Sequence, residues 1–183
     1  MTRILGISGS LRRESFNAGL LRAAVEVAPE GVKVDARSIH GVPLYDADAE
    51  ARDGAPEAVA RLKEALGEAD GLLLVTPEYN NSIPGVFKNA IDWMSRPPGG
   101  LDLFRGKPVA VIGASSGGFG TILSQDHWLP VLRTLRTRPW FEGRLMVSRA
   151  ATLFDGQGNL KDDATRKKLG EFLNGFANFL RQP

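Results

Sequence analysis

The sequence predicts an α/β protein in which a parallel β-sheet carries helices on both faces. Short apolar segments typical of strands alternate with segments of helical periodicity along the whole chain. Each predicted strand is followed by a helix, and parallel strands need such a crossover to bring the chain back to the same end of the sheet. No internal repeat or long linker divides the 183 residues. We therefore expect a single domain covering residues 1–183.

The first predicted strand is Ile4–Ile7, an apolar run that ends in a turn-rich Ser-Gly-Ser segment. Leucine and alanine then recur with helical spacing over residues 20–28, until Pro29 and Gly31 end the helix. Residues 32–39 alternate between apolar and polar side chains, as a half-buried strand does.

Residues 40–56 are rich in aspartate and glutamate, and we expect them to form an exposed loop. The helix that follows begins at Pro56, a residue favoured in the first turn, and ends at Gly67. Residues 71–76 are the most apolar run of the chain, which is typical of a central strand. Pro84 starts a third helix that reaches Met94.

The last third of the chain repeats this alternation. Residues 107–113 form the fourth predicted strand, and a helix over 129–135 follows it. Residues 143–148 form a short fifth strand. The clearest helix is the last, because leucine and phenylalanine form a single apolar stripe over residues 169–180.

Composition excludes several chemistries. The chain has no cysteine, so disulfides, thiol catalysis, thiolate zinc sites and iron–sulfur clusters are ruled out. Its two histidines, His40 and His127, do not suggest a metal site. The second half of the chain is net basic, but no nucleic-acid-binding motif accompanies the arginines, so no nucleic-acid partner is expected. With no signal peptide and no apolar run near the ~20 residues that span a bilayer, we expect a soluble cytoplasmic protein.

Three loops that follow predicted strands have unusual chemistry, and ligands of parallel α/β sheets bind at the carboxyl ends of strands. The first loop, 8–17, combines glycine, serines and Arg12 at the start of a helix, which favours a phosphate. Ser15 or Asn17 could instead cap that helix. The loop has neither the P-loop spacing nor the G-x-G-x-x-G fingerprint.

The second loop, 76–85, is polar, aromatic and stiffened by two prolines, as a site for a planar heterocycle would be. A proline-bounded turn in which Tyr79 covers the edge of the core explains the same residues equally well. Lys88 and Asp92, four residues apart on the next helix, fit a surface ion pair.

The third loop, 113–120, contains G-x-S-x-G, the nucleophile-elbow pattern of α/β-hydrolases. A serine hydrolase using Ser115 or Ser116 is therefore an alternative. It is disfavoured because the only downstream histidine, His127, falls at the start of the next helix. We expect His127 to be a partly buried helical residue.

Taken together, these motifs resemble the flavodoxin-like NAD(P)H-dependent FMN reductases, in the branch that includes chromate-reductase-like quinone reductases. The matching segments are Gly9–Arg12, Ser15, Asn17, Pro77–Asn80, Ser82, Pro84–Gly85 and Lys88–Trp93. The resemblance implies a three-layer flavodoxin-like fold with a five-stranded parallel sheet in the order 2-1-3-4-5. It also implies a bound FMN, NAD(P)H as electron donor, and a homodimer or homotetramer.

The resemblance further assigns roles to the three loops. The first holds the FMN phosphate, residues 77–80 line the isoalloxazine ring largely through main-chain groups, and residues 115–117 lie against its pyrimidine side. The cofactor-binding residues expected on this basis are Ser10, Leu11, Arg12, Ser15, Phe16, Asn17, Pro77, Glu78, Tyr79, Asn80, Ser82, Ser115, Ser116 and Gly117. No side chain is expected to act as acid or base, because the flavin carries the chemistry.

The implied reaction passes a hydride from NAD(P)H to FMN and then two electrons to a small acceptor. Quinones, azo or nitro compounds, metal oxyanions and free flavin are the candidate acceptors. The chromate-reductase-like branch commonly has an arginine and a tyrosine where this chain has Leu123 and Asp126, so the branch's tetramer contact and chromate itself are not carried over. A flavodoxin-type electron carrier is a second alternative, although flavodoxins are strongly acidic and this chain has a net charge of +2.

Overall fold

A parallel β-sheet forms the centre of the protein in the computed structural model, which describes residues 1–182. Its strands are β1 (Thr2–Ser8), β2 (Val32–Ser38), β3 (Gly71–Val75), β4 (Pro108–Ala114), β5 (Arg138–Pro139) and β6 (Leu145–Val147). They are ordered β2-β1-β3-β4-β5, and β6 also pairs with β4. The predicted strand order 2-1-3-4-5 is confirmed, and all pairings are parallel.

The fifth position of the sheet is occupied by two short segments rather than one strand. β5 pairs with the first residues of β4, whereas β6 pairs with its last residues, Ile112–Ala114. Pro139 has no N–H for a longer ladder. The ring of Trp140 packs so closely over Gly143 that a Cβ there would lie 2.2 Å from it, and the chain leaves the sheet edge between the two segments. The predicted strand at 143–148 is the second of them.

Eight helices surround the sheet in the described part of the chain. They are α1 (Phe16–Glu26), α2 (Ala47–Asp53), α3 (Glu57–Glu68), α4 (Gly85–Met94), α5 (Gly100–Phe104), α6 (Ile122–Thr134), α7 (Ala150–Leu153) and α8 (Asp163–Leu180). The prediction of an exposed loop over 40–56 was wrong about its structure, because α2 lies within it, although no residue of α2 is buried. Asp46 caps α2 by accepting hydrogen bonds from the amides of residues 48 and 49, and Gly54 ends it at φ 77°. No residue of α2 is buried, so no apolar periodicity marked it.

The hydrophobic core has two parts, one on each face of the sheet. Along β1, Ile4 faces the part that contains residues of α1 and α8, whereas Leu5 and Ile7 face the part that contains residues of α3, α4 and α6. The chain therefore forms three layers, with the sheet between two layers of helices, as predicted.

The longest helix, α8, is amphipathic, and its buried stripe contains the predicted residues Leu169, Phe172, Leu173 and Phe176. Its side chains pack on the α1 face of the sheet. No helix within residues 1–182 has both the length and the apolar character needed to cross a membrane.

Candidate active site at the carboxyl ends of the strands

Hydrogen bonds join the three chemically unusual loops at one edge of the sheet. The amide of Gly9 donates to Val75 O at 3.0 Å, which connects the first loop to the end of β3. Thr76 N donates to Ile112 O at 2.8 Å, which connects the second loop to β4. The structure therefore brings the starts of the loops after β1, β3 and β4 side by side.

The first loop gathers hydroxyl groups, a cation and a helix N-terminus. Ser15 caps α1, since its Oγ accepts from the amides of Asn17 at 3.2 Å and Ala18 at 3.3 Å. Ser10 and Ser15 are buried, whereas Arg12 is exposed with its guanidinium 4.9 Å from the centre of the half-buried Phe16 ring. These groups, together with the positive end of the α1 dipole, form a donor set suited to an anion.

Asn17 joins the first loop to the third. Its Nδ2 donates to Ala114 O and its Oδ1 accepts from Ala114 N, both at 2.8 Å. The pairing of β3 with β4 ends at Ile112. On this side of β4 the Asn17 amide therefore bonds to Ala114 in place of β3, while β6 pairs with Ala114 on the other side. Only one hydrogen of the Asn17 side chain remains for a ligand. The side chain predicted to hold phosphate thus has a structural task as well.

The second loop is a two-residue β-hairpin. Tyr79 and Ser82 exchange backbone hydrogen bonds of 3.1 and 3.0 Å. Asn80 and Asn81 between them have φ values of 49° and 61°, the conformation of a type I′ turn, which asparagine tolerates. Tyr79 is 52% exposed. The alternative in which Tyr79 covers the edge of the core is therefore wrong.

Side chains of the second loop hold it against α6. The Glu78 carboxylate accepts from the amides of Leu123 at 2.9 Å and Ser124 at 3.0 Å in the first turn of α6. Below it, the buried Thr76 hydroxyl donates to Pro77 O at 2.8 Å and accepts from Trp128 Nε1 at 3.2 Å. One oxygen of the Glu78 carboxylate is engaged in this way, and these bonds fix the start of the loop against α6.

The third loop lies beside the end of β6. Ser115 N donates to Val147 O at 2.9 Å, and the amide of Arg149 donates to Gly117 O at the same distance. Ser115 Oγ accepts from the amide of Gly117 at 3.2 Å, whereas Ser116 is exposed. Neither Ser115 nor Ser116 is hydrogen-bonded to a histidine within residues 1–182. The geometry therefore gives the serine-hydrolase alternative no base for its nucleophile.

Two histidines that the motifs did not include also contact these loops. His127 is exposed on α6, which corrects the expectation of partial burial, and its Nδ1 lies 2.9 Å from Ser82 Oγ. His40 Nε2 lies 3.2 Å from Leu11 O, and its Nδ1 contacts Ser38 Oγ. Ser82 is 45 positions from His127, and Leu11 is 29 positions from His40. Ser38 is close to His40 in sequence, but the two residues belong to no known motif, so no local pattern predicted these contacts.

The family model for NADPH-dependent FMN reductases matches residues 2–152, which include all three loops. The chain belongs to this family. The resemblance drawn from the motifs is thereby confirmed, and so is the assignment to the oxidoreductases.

Three relatives are similar to this chain over nearly its whole length. An NAD(P)H-dependent FMN reductase of Pseudomonas aeruginosa is 44% identical over 180 residues, covering 98% of this chain and 96% of the relative. A 2-hydroxy-1,4-benzoquinone reductase of a Burkholderia species is 40% identical, with the same coverage. The solved structure of FerB, a flavoenzyme NAD(P)H:(acceptor) oxidoreductase from Paracoccus denitrificans, superposes with a TM-score of 0.85 at 34% identity, covering 98% of this chain and 97% of FerB.

FMN reductases of this family use FMN as cofactor and NAD(P)H as electron donor, and the first loop fits an FMN phosphate. Ser8 ends β1, and its buried Oγ has no hydrogen-bond partner within residues 1–182. A buried hydroxyl without a partner is costly, and it can donate to an anion bound at this end of the strand. At Gly9 a Cβ would lie 2.0 Å from the Phe87 ring, so the chain runs tightly over the core there.

A cavity of about 390 Å³ lies outside the predicted site. It is an apolar groove between α6 and the β5–β6 segment, and none of the predicted site residues lines it. Ile122, Leu123, Leu129 and Phe141 on its walls are all exposed. An exposed apolar groove of this kind is typical of a contact surface.

Proposed function

We propose that this protein is an FMN-dependent NAD(P)H:quinone oxidoreductase. The net reaction takes NAD(P)H, a quinone and one proton from solvent, and yields NAD(P)⁺ and the hydroquinone. When bound, FMN would supply the redox chemistry that links hydride transfer from the nicotinamide to two-electron reduction of the acceptor. Two relatives support the choice of acceptor: the benzoquinone reductase already described and a quinone reductase of Escherichia coli that is 37% identical over 186 residues.

The chain's own residues would bind and orient the cofactor. The hydroxyls of Ser10 and Ser15 and the main-chain amides of Leu11 and Phe16 donate hydrogen bonds to the phosphate, and the Arg12 fork adds a permanent positive charge. Residues 77–80 would line the ring, largely through their main chain. Residues 115–117 place amides and hydroxyls on the pyrimidine side, where donors stabilise the negative charge of the reduced ring.

The observation that carries this proposal is the junction of the three loops. The bonds from Gly9 to Val75 and from Asn17 to Ala114 bring an anion-binding helix N-terminus beside a polar hairpin and a glycine-rich loop. One ligand that has both a phosphate and a flat polar ring uses all three.

The proposal is tested with the purified protein in the absence of oxygen. We expect a flavin absorption spectrum, either as isolated or after FMN is added and excess removed. We expect NADPH or NADH to bleach it, and benzoquinone to restore it. A protein that retains no FMN, or whose flavin is not reduced by either nucleotide, would contradict the proposal.

The same assay discriminates the other candidate functions. A flavodoxin-type carrier would show no steady NAD(P)H consumption with benzoquinone. Azo compounds, nitroaromatics, metal oxyanions and free flavin are compared with quinones by their kcat/KM values, and we expect the quinone to be preferred. Ester hydrolysis that Ser116→Ala or Ser115→Ala abolishes would support the hydrolase instead.

We further propose that the protein forms a homodimer or homotetramer in the cytoplasm. The groove beside α6 supports a second copy as partner, because it is apolar and also carries an acidic residue, Asp126, and a basic one, Arg144. A two-fold assembly would allow Asp126 of each copy to pair with Arg144 of the other. Sedimentation analysis of the wild type and of Leu129→Glu tests this. We expect the variant to dissociate, and a monomeric wild type would refute the assembly.

A further inference from the structure

The exit of the hairpin at residues 79–82 is joined to α6 by one side-chain pair. His127 Nδ1 lies 2.9 Å from Ser82 Oγ, although 45 positions separate the residues. The other links between this loop and α6 lie at the hairpin's entry, where Glu78 contacts the first turn of the helix. The hairpin is thus bonded to α6 on both sides, through Glu78 before it and through the Ser82–His127 bond at its last residue.

We propose that His127 is a positioning residue for FMN, which fixes through Ser82 the hairpin that lines the flavin ring. The inference rests on the proposed function, because that function makes the hairpin a wall of the FMN site. His127 touches neither the cofactor nor the reacting atoms in this account. Its effect on binding passes through the Ser82 hydroxyl alone.

The hairpin needs such a hold because it has little stability of its own. Two backbone hydrogen bonds close it, and isolated hairpins are marginal in water. Asn80 and Asn81 are both in the left-handed region, each at a modest cost. Tyr79, Asn80 and Asn81 are exposed, so packing contributes little. Beyond the hairpin the chain is anchored again at Ile83 and Pro84, which pack on the core at the start of α4. Loss of the Ser82–His127 bond would therefore loosen only the stretch from Tyr79 to Ser82.

The chemistry of the pair suggests a conservative replacement. Nδ1 can accept from the Ser82 hydroxyl or donate to it, depending on the tautomer. An asparagine amide presents an acceptor and a donor close to the position of Nδ1, so His127→Asn can restore the bond in either direction. Alanine at 127 removes the bond while changing only an exposed side chain.

The experiment is a double-mutant cycle in which FMN affinity is the readout. FMN is titrated into flavin-free wild type, His127→Ala, Ser82→Ala, the double variant and His127→Asn, and the quenching of flavin fluorescence gives Kd. We expect each alanine variant to raise Kd about three- to ten-fold, the range of one net hydrogen bond. The double variant should bind no more weakly than the weaker single variant, because both remove the same bond. His127→Asn should lie within about two-fold of wild type.

Two controls separate positioning from a loss of fold. Arg133→Ala changes another exposed side chain of α6 that makes no side-chain hydrogen bond within residues 1–182, and it should leave Kd unchanged. Flavin-free His127→Ala should unfold in one transition with a urea midpoint close to that of Ser82→Ala, because both variants lose the same bond. A variant that binds FMN weakly because it is partly unfolded would fail this comparison, and that would overturn the inference.

The remaining outcomes are equally decisive. Unchanged Kd for His127→Ala overturns the inference, and so do additive effects in the double variant. An effect of Ser82→Ala alone would show that Ser82 binds FMN directly and that His127 is surface. A wild-type protein that binds no FMN refutes the proposed function itself, whereas tight wild-type binding with an unaffected His127→Ala refutes only the role of His127.

Discussion

Asn17→Ala should destabilise the flavin-free protein by about 2–4 kcal/mol. The substitution removes two hydrogen bonds of 2.8 Å between a side chain and the backbone of Ala114. Each loss costs about 1–2 kcal/mol, between the ~0.5–1.5 kcal/mol net value of a hydrogen bond and the ~1–3 kcal/mol cost of leaving a buried N–H or C=O without a partner. Both residues are buried, Asn17 at 4% and Ala114 at 3% exposure, so water does not readily replace the lost amide.

Asn17→Asp tests the same geometry more closely. One carboxylate oxygen can still accept from the Ala114 amide, but the other faces the Ala114 carbonyl, acceptor against acceptor. We expect a loss at neutral pH at least as large as that of Asn17→Ala. If Asn17 only made an ordinary polar contact, aspartate would be tolerated better than alanine, because it is the larger and more polar of the two replacements.

Urea unfolding followed by tryptophan fluorescence measures these losses, since Trp93, Trp128 and Trp140 are buried in the folded protein. The matched control is Asn174→Ala, an exposed position within α8, which should change stability by less than about 0.5 kcal/mol. If Asn17→Ala differs from wild type by no more than this control, the junction between the first and third loops does not contribute as described.

Three further predictions concern single residues. Arg12→Ala should weaken FMN binding by about 1.5–3 kcal/mol in a fluorescence titration, whereas Arg13→Ala, its exposed neighbour, should have little effect; equal effects would argue against a phosphate contact by Arg12. Gly9→Ala should cost about 1–3 kcal/mol in urea unfolding, because its Cβ would lie 2.0 Å from Phe87 Cδ1, and a smaller cost in a Phe87→Leu background would confirm the clash. Hydrogen bonds from the Thr165 hydroxyl and amide hold the pKa of Asp162 below its ordinary value. The ionised Asp162 therefore stabilises α8 fully above pH ~4, and this stabilisation is lost as the pH falls through the lowered pKa of the folded state. The stability difference between wild type and Asp162→Ala should therefore vanish on acidification, and a difference that grows in acid would contradict the cap.

Elements with a buried face could be predicted from the sequence. β3 and α8 carry continuous or periodic apolar residues, and the structure places both where the pattern indicated. α2 could not be found in this way, since all its side chains lie at the surface and its ends are set by Asp46 and Gly54. The divided edge strand depends on how Trp140 packs over Gly143, a tertiary contact that no strand pattern records.

The residues of the candidate site also fall into two groups, those that local sequence predicts and those that only the folded structure reveals. Ser10, Arg12 and the asparagines of the hairpin lie in short motifs that can be recognised from the neighbouring residues in the sequence. The side chains that hold those motifs together have distant partners: Asn17 and Ala114 are 97 positions apart, and Ser82 and His127 are 45 apart. A lone histidine on an exposed helix face has no spacing to mark it, so its contact with the hairpin became visible only in the folded chain.

A crystal structure of the protein loaded with FMN tests the central claim most directly. We predict that the phosphate lies within hydrogen-bond distance of Ser10, Ser15 and the main-chain amides of Leu11 and Phe16, with the ring between residues 77–80 and residues 115–117. FMN bound instead in the apolar groove between α6 and the β5–β6 segment, with the first loop empty, would contradict the account.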